Sequence, residues 1–203
     1  MSTIDAVQSP ADEERRKLLA RATAAAGGLA LAGASLPFVA SLRPSERAKA
    51  QAAPIEVDTA LLRPGELKTV EWRGKPVWIL GRTPAMLSSL ESVRSRLTDP
   101  DSTVVSQQPE YARNPTRSIN PELFVTISLC THLGCVPTYA PEPGSIEGDW
   151  PGGFYCPCHG SKFDLAGRVY KGSPAPTNLV IPPHQLRGAN LLVIGYDAAD
   201  APA

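Results

Sequence analysis

All four cysteines of this 203-residue chain lie in two short boxes, and each box also holds a histidine. The boxes have the sequences C-T-H-L-G-C at 130–135 and C-P-C-H-G-S at 156–161. Thiolate and imidazole groups are donors that transition metals prefer. Both boxes can serve one metal centre only if they meet in space, so this pattern constrains the fold most strongly. The boxes hold six such donors, four cysteines and two histidines. A structural zinc site has four ligands, so a zinc ion would leave two of the six unused.

An uncharged apolar segment at 22–42 consists almost entirely of Ala, Leu, Gly and Val. About 20 apolar residues cross a bilayer as a helix, whereas the apolar part of a cleavable signal usually has about 7–15. We therefore predict a transmembrane helix at 22–42, with a buried helix of a soluble protein as the alternative. Arg15 and Arg16 precede it, as in a twin-arginine export signal, although an ordinary positive flank is also possible. The signal predicts a cytoplasmic N-terminus at 1–21, with the bulk of the chain outside.

The segment at 43–54 is polar and alanine-rich, without β-branched residues or apolar periodicity. This composition predicts a flexible hinge. Its A-Q-A sequence at 50–52 also resembles a small-residue cleavage site. The length of the apolar segment favours a retained anchor over a cleaved signal.

From Ile55 onward the chain has the pattern of a mainly β domain. Proline (21) and glycine (16) are frequent, which favours strands and loops over a helical bundle. One helix is predicted from the apolar residues Met86, Leu90, Val93 and Leu97, with its start near Thr83-Pro84. Strands are predicted on both sides of a glycine turn within 72–80, at 123–129, at 178–183 and at 190–196. The chain has 20 basic and 20 acidic residues, which argues against a nucleic-acid partner.

The two boxes strongly resemble those of the Rieske [2Fe–2S] proteins, and more narrowly those of the iron–sulfur subunits of proteobacterial cytochrome bc1 complexes (ubiquinol–cytochrome c reductases). The twin-arginine segment, W-R-G-K-P at 72–76, the helix and G-S-P-A-P at 172–176 occur in the family's order, so the resemblance covers about 12–196. It implies a head of antiparallel sheets at 55–203. A small subdomain at about 128–178 would hold the cluster between two loops.

The resemblance also implies the roles of the site residues. One [2Fe–2S] cluster is expected, with thiolate ligands Cys130 and Cys156 and imidazole ligands His132 and His159. Cys135 and Cys158 are expected to form a disulfide, which is possible where the head lies outside the cytoplasm. Ser161 would donate a hydrogen bond to a bridging sulfide, and Pro174 belongs to the proline loop that covers the cluster.

Histidine ligation gives such clusters a high potential, about −150 to +300 mV, which suits an acceptor of electrons from quinol. By resemblance, His159 hydrogen-bonds ubiquinol and accepts its proton, while Leu133 and Gly134 form part of the tip that docks on cytochrome b. The electron would pass to cytochrome c1. These implications describe an oxidoreductase subunit of a dimeric complex in the cell inner membrane, with one span and a periplasmic head.

The sequence departs from many relatives at Phe163, where they carry a tyrosine that donates to a ligand sulfur. Phenylalanine cannot donate, so we predict a lower potential than in tyrosine-bearing relatives. Two other functions stay open: the small Rieske subunit of an exported molybdenum oxidase of the arsenite oxidase type, and a structural zinc module. His184 lies outside both boxes and is expected to be a surface or packing residue.

Overall fold

The computed structural model describes residues 10–45, 48, 50 and 53–196, and the chain divides into one unit at 1–49 and another at 50–203. Residues 1–9 of the predicted cytoplasmic segment at 1–21 therefore lie outside the described residues. The predicted hinge at 43–54 and its cleavage-like sequence lie partly outside them as well.

The N-terminal unit contains one long helix, α1 (Pro10–Ser41). Its portion Asp12–Ser41 has 30 residues, a mean hydropathy of 1.5 in its most apolar window and no buried residues in that window. A helix rises about 1.5 Å per residue, so the predicted apolar segment is about 30 Å long, the thickness of a bilayer core. By length and composition, α1 can span a membrane.

The head consists of antiparallel strands, as the sequence predicted. The described residues form three three-stranded sheets with the orders β1-β9-β8, β2-β3-β4 and β5-β6-β7. The strand bounds are β1 Ile55–Asp58, β2 Leu67–Trp72, β3 Lys75–Gly81, β4 Leu123–Ile127, β5 Thr138–Ala140, β6 Gly153–Cys156, β7 Ser161–Phe163, β8 His184–Arg187 and β9 Leu191–Ile194.

In the sheet β2-β3-β4, the strands β3 and β4 are buried on both faces, whereas the edge strand β2 is only partly buried. Successive side chains of a strand point to opposite faces. Val77 and Ile79 of β3 accordingly pack against β1 and β9, whereas Trp78 and Leu80 pack against β6 and β7. Trp78 stacks on Phe154 of β6 with ring centroids 5.0 Å apart. This arrangement explains the uninterrupted apolar sequence of β3 and connects the box-bearing sheet to the rest of the head.

The predicted glycine turn joins β2 to β3. Arg73 and Gly74 have φ values of 54° and 69°. Two-residue hairpin turns with positive φ at both central positions match the twist of the flanking strands, and glycine adopts this conformation without strain. The hairpin predicted from W-R-G-K-P is confirmed.

The predicted helix is α2 (Pro84–Ser92), and it begins as expected because the Thr83 side chain accepts a hydrogen bond from the Met86 N–H at 3.2 Å. Its predicted extension to Leu97 is wrong. A short 3-10 turn, Arg94–Arg96, follows, and Leu97 is extended and bridged to Tyr170. Leu97 is buried in a separate small apolar cluster, so tertiary packing accounts for its apolar character.

The strand predicted at 178–183 is also wrong. This segment is extended, but its hydrogen bonds go to separate parts of the chain, and Pro182 and Pro183 have no N–H to donate. Leu179 N–H donates to Gly167 O, Val180 O accepts from Ile127 N–H, and Ile181 N–H donates to Gln107 O. The strand predicted at 190–196 is present as the shorter β9.

Substitution Gly195→Ala tests the packing of β9 against the central sheet. Gly195 has a φ of +91°, and an added Cβ would lie 2.4 Å from Trp72 Nε1. Left-handed strain of about 1–2 kcal/mol and overpacking of about 1–3 kcal/mol should both lower the free energy of unfolding.

The matched control is Gly188→Ala, at φ +66° with nothing near the added Cβ, which should show the strain alone. Thermal unfolding of the full chain in detergent measures both effects. Equal losses in the two variants would contradict the proposed close contact with Trp72.

Candidate metal centre

The two boxes occupy loops at the ends of strands. The second box is the connection between β6 and β7: Cys156 ends β6, Ser161 begins β7, and the two residues are paired across the sheet. The first box follows β4 and precedes β5. The hairpin therefore orients the second box, whereas the first box depends on contacts with other segments.

Both boxes close in the same way. The Gly134 N–H donates to Cys130 O, and the Gly160 N–H donates to Cys156 O, each at 2.9 Å. The two glycines have φ values of +81° and +79°, a conformation that side chains with a Cβ rarely adopt. Each box is thus a single turn that begins at a cysteine and ends at a glycine.

A disulfide between Cys135 and Cys158 joins the two loops, with Cα atoms 6.7 Å apart. The sulfurs of Cys135, Cys156 and Cys158 all lie within 4.8 Å of one another. Their spacing would suit a metal site, but a disulfide consumes the thiolates of two of them. Of these three sulfurs, only that of Cys156 is a candidate ligand.

Cys130 and Cys156 are free and buried. Burial raises the pKa of the Cys156 thiol, and a hydrogen bond with the Cys130 thiol raises it further. The backbone N–H groups of Cys158 and His159 lower that pKa, because they point at the sulfur and stabilise a thiolate. The two thiols are therefore neighbours, with backbone donors positioned for negative charge.

The two histidines face each other. The rings of His132 and His159 are 4.8 Å apart between centroids and nearly perpendicular. The Nδ1 of His132 is buried and has no hydrogen-bond partner among the described residues. A buried polar atom without a partner costs about 1–3 kcal/mol, and such an atom calls for a bound group. His159 is exposed.

These observations test whether the site fits an iron–sulfur cluster. The donors left after the disulfide are two neighbouring buried thiols and two adjacent imidazoles, one of which has a buried nitrogen without a hydrogen-bond partner among the described residues. Two thiolates and two imidazoles are the donors of a Rieske centre, in which histidine replaces cysteine on one of two irons. The residues fit the group, although their number alone would also suit zinc.

The segment at 172–177 is bound to both boxes. The Ala175 N–H donates to Ser161 Oγ at 3.0 Å, and the Thr131 hydroxyl donates to Thr177 O at 2.6 Å. Pro174 directly precedes Ala175 and is exposed. The predicted proline loop is therefore held beside the first and the second box together.

Ser161 and Phe163 both lie on β7 with buried side chains. Because Ser161 Oγ accepts from Ala175, its own O–H can donate elsewhere. Phe163 belongs to the same apolar cluster as Cys130 and Cys156. The aromatic ring therefore packs in the core that backs the two free thiols.

The tip of the first box is apolar and exposed. Leu133 is 72% exposed and Val136 is 51% exposed, and Gly134 lies between them. These residues were expected at a docking tip, except Val136, which the sequence reasoning missed. An exposed apolar patch of this kind is typical of a protein contact.

Sequence reasoning also missed the hydrogen-bonding roles of Thr131 and Thr177. Thr131 lies inside the first box, but nothing in the sequence indicates a partner 46 residues away. His184 is a packing residue and not a surface one: it is buried, with Nδ1 2.8 Å from Pro182 O and its ring edge-on to Tyr111.

Known families and proteins match this chain over most of its length. The model of the Rieske [2Fe–2S] domain matches residues 57–183, and that of the TAT signal of the ubiquinol–cytochrome c reductase Fe-S subunit matches residues 8–45. The Allochromatium vinosum ubiquinol–cytochrome c reductase iron–sulfur subunit is 54% identical over 92% of this chain and 91% of its own length. Its Blastochloris viridis counterpart is 39% identical over 93% and 97%.

A third relative, the Bradyrhizobium diazoefficiens iron–sulfur subunit of the same reductase, is 37% identical over 96% of this chain and all of its own length. The matches cover the apolar helix, the head and both boxes together. From the site geometry and these matches, we conclude that the chain belongs to the Rieske [2Fe–2S] family, among the iron–sulfur subunits of ubiquinol–cytochrome c reductase.

Proposed function

We propose that this chain is the iron–sulfur subunit of a cytochrome bc1 complex. In this function it accepts one electron from ubiquinol at the outer quinol site of cytochrome b and passes the electron to cytochrome c1. The observation that carries the proposal is the pair of disulfide-linked boxes, which together hold two free buried thiols, two adjacent histidines and the exposed Leu133.

Four residues would hold the [2Fe–2S] cluster: Cys130, His132, Cys156 and His159. When bound, the cluster supplies one-electron chemistry at a high potential, because neutral imidazoles replace two charged thiolates. The buried Nδ1 of His132 and the two buried thiols have the burial expected of ligands. The exclusion of water strengthens their electrostatic interactions with a bound group.

His159 has the position expected of the quinol contact. Its side chain is exposed beside the apolar tip, so the ring nitrogen that does not bind iron can accept a hydrogen bond and then a proton from a quinol hydroxyl. Leu133 and Gly134 would cover the ring from solvent when the tip docks on cytochrome b. Proton and electron acceptance would then occur at one place on the surface.

The N-terminus supports a membrane arrangement. A helix with an apolar segment long enough to span a membrane and a match to a TAT signal fit a membrane-anchored subunit. We propose a single span at 22–42 in the cell inner membrane, a periplasmic head at 55–203 and a hinge at 43–54. The cluster-binding part at about 128–178 would face cytochrome b and cytochrome c1 alternately within a dimeric complex.

The other functions considered are less well supported. The named relatives are subunits of ubiquinol–cytochrome c reductase, which does not favour the molybdenum oxidase subunit. A structural zinc module would account for the ligand number, but the Rieske domain match favours iron.

Electron paramagnetic resonance of membranes that hold the complex tests the proposed function. Reduced membranes should show a Rieske signal whose shape changes when the quinone pool is switched between oxidised and reduced, because quinone bonds to His159. A Rieske signal whose shape does not depend on the redox state of the quinone pool would contradict this function and favour the oxidase subunit.

Substitution Leu133→Ala should slow quinol oxidation several-fold without changing the cluster signal, because it removes apolar docking area of the exposed tip. The matched control is Leu61→Ala, at a residue that is 88% exposed and outside both boxes. Turnover and the spectrum are measured on the same membranes. Equal turnover in the two variants would exclude the docking role of Leu133.

Substitution Phe163→Tyr should raise the reduction potential. A new hydroxyl in this buried position can donate to a ligand sulfur, and this bond is stronger in the reduced, more negative state. A hydrogen bond to a charged group contributes about 1.5–3 kcal/mol, so the rise for one electron is at most roughly 60–130 mV. Ser161→Ala should lower the potential for the converse reason. Redox titration measures both, and an unchanged or lower potential in Phe163→Tyr would exclude the explanation.

Proline substitutions at Ala50 and Ala53 should stiffen the proposed hinge and slow turnover while the cluster signal stays intact. Serine at the same two positions is the control, since it keeps the backbone free. Turnover of the proline variant equal to that of the serine variant would argue against a hinge.

A further inference from the structure

The buried charges of the head are strongly unbalanced. Among the described residues, the buried charged side chains other than histidine are Arg82, Arg117, Arg168 and Asp164, three cations and one anion. Charged side chains are almost never fully buried unless they are paired, so two surplus cations in one core need an explanation.

The four groups form one cluster. Asp164 pairs with Arg168, with 2.7 Å between Oδ2 and both Nε and Nη2. Arg82 and Arg117 are near enough to that pair for its charges to influence them. Burial lowers the pKa of both Arg82 and Arg117 to about 10, so both stay protonated at neutral pH.

Within the described part of the chain, all the hydrogen bonds that Arg82 and Arg117 donate go to neutral oxygens. Arg82 bonds the carbonyls of Pro121, Thr116 and Leu165 and the Ser118 hydroxyl. Arg117 bonds the carbonyls of Ala166, Gly167, Gln107 and Leu179 and the Gln108 side-chain oxygen. These contacts replace hydration, but they do not cancel the charge. The four buried groups therefore have a net charge of about +2. Half-buried Asp99 is a further anion that acts on Arg117 and offsets part of this charge.

The charge cluster and the metal centre lie against the same apolar core. Asp164 directly follows β7, and Leu165 and Ala166 share an apolar cluster with Cys130 and Cys156. Three residues span at most about 10 Å and paired strand residues lie about 5 Å apart, so the Asp164 backbone is within about 15 Å of Cys156. Arg82 contacts this apolar cluster too, because its guanidinium lies 5.1 Å from the ring centroid of Phe124, a member of the cluster.

We propose that Arg82, Arg117 and Arg168, offset in part by Asp164 and by half-buried Asp99, act as a buried positive charge that raises the reduction potential of the metal centre. The inference rests on the proposed cluster ligands. Reduction of the centre adds one negative charge, which a nearby positive charge stabilises. Salt screens buried charges weakly, so the effect persists at physiological ionic strength.

The competing explanation is that these arginines only hold loops together through their carbonyl contacts. Charge and packing can be separated by substitution. Arg82→Gln and Arg117→Gln remove a charge, whereas Arg82→Lys keeps the charge and loses the planar fork of donors. Asp164→Asn removes the anion but keeps an oxygen for the N–H groups of Ala166 and Arg168, which Oδ1 now accepts at 3.0 and 2.7 Å.

Redox titration of the cluster signal in membranes holding the complex tests the proposal. At a fixed potential of the redox mediator, each glutamine variant should raise the ratio of oxidised to reduced cluster about fivefold to tenfold. Asp164→Asn should shift it in the opposite direction, and Arg82→Lys should leave it unchanged. The surface control is Arg113→Gln, whose exposed pair with Glu110 at 3.8 Å should have no effect.

The inference is wrong if the reduction potential of the glutamine variants equals that of the wild type. It is also wrong if Arg82→Gln and Asp164→Asn shift the potential in the same direction. A potential as low in Arg82→Lys as in Arg82→Gln would likewise overturn it. If the glutamine variants do not fold, Asp164→Asn decides, since an unchanged potential there contradicts the proposal. The proposed function is tested independently of this inference: it is wrong if the shape of the wild-type signal does not depend on the redox state of the quinone pool.

Discussion

The site depends on the disulfide between Cys135 and Cys158, which joins the two loops that carry the boxes. A loop that ends a strand has no ladder of its own, so its side chains converge on a partner loop only if something holds the backbones together. In the chain-entropy model, a cross-link over a separation of 23 residues contributes about 3 kcal/mol. Both free thiols and both histidines lie in the loops that it joins.

The rest of the head gives these loops a rigid base. Strands β3 and β4 of the central sheet are buried on both faces, and Trp78 of β3 stacks on Phe154 of β6, which fixes β6 against the central sheet. The hairpin β6–β7 then orients the second box. The first box has no comparable hairpin and relies on the Thr131 contact with the segment at 172–177. Packing and a few directed hydrogen bonds thus replace regular structure at the site.

Much of this arrangement could be predicted from the sequence. The hairpin at Arg73-Gly74, the strands on both sides of it and the helix start at Thr83 follow from local rules that depend only on neighbouring residues. The errors came from distant contacts. Leu97 fits a helical spacing but pairs with Tyr170, and the extended segment at 178–183 bonds to several segments instead of one strand.

The sequence by itself determined the class of site, because two boxes of cysteine and histidine restrict the chemistry to metal binding and redox reactions. It also determined the apolar helix, since 21 uncharged residues have few alternatives. Only the tertiary structure decided which atoms are buried and what they contact. The unpartnered Nδ1 of His132, the exposure of His159 and the surplus of buried arginines all arise from contacts between residues far apart in the chain, and spacing along a sequence does not encode such contacts.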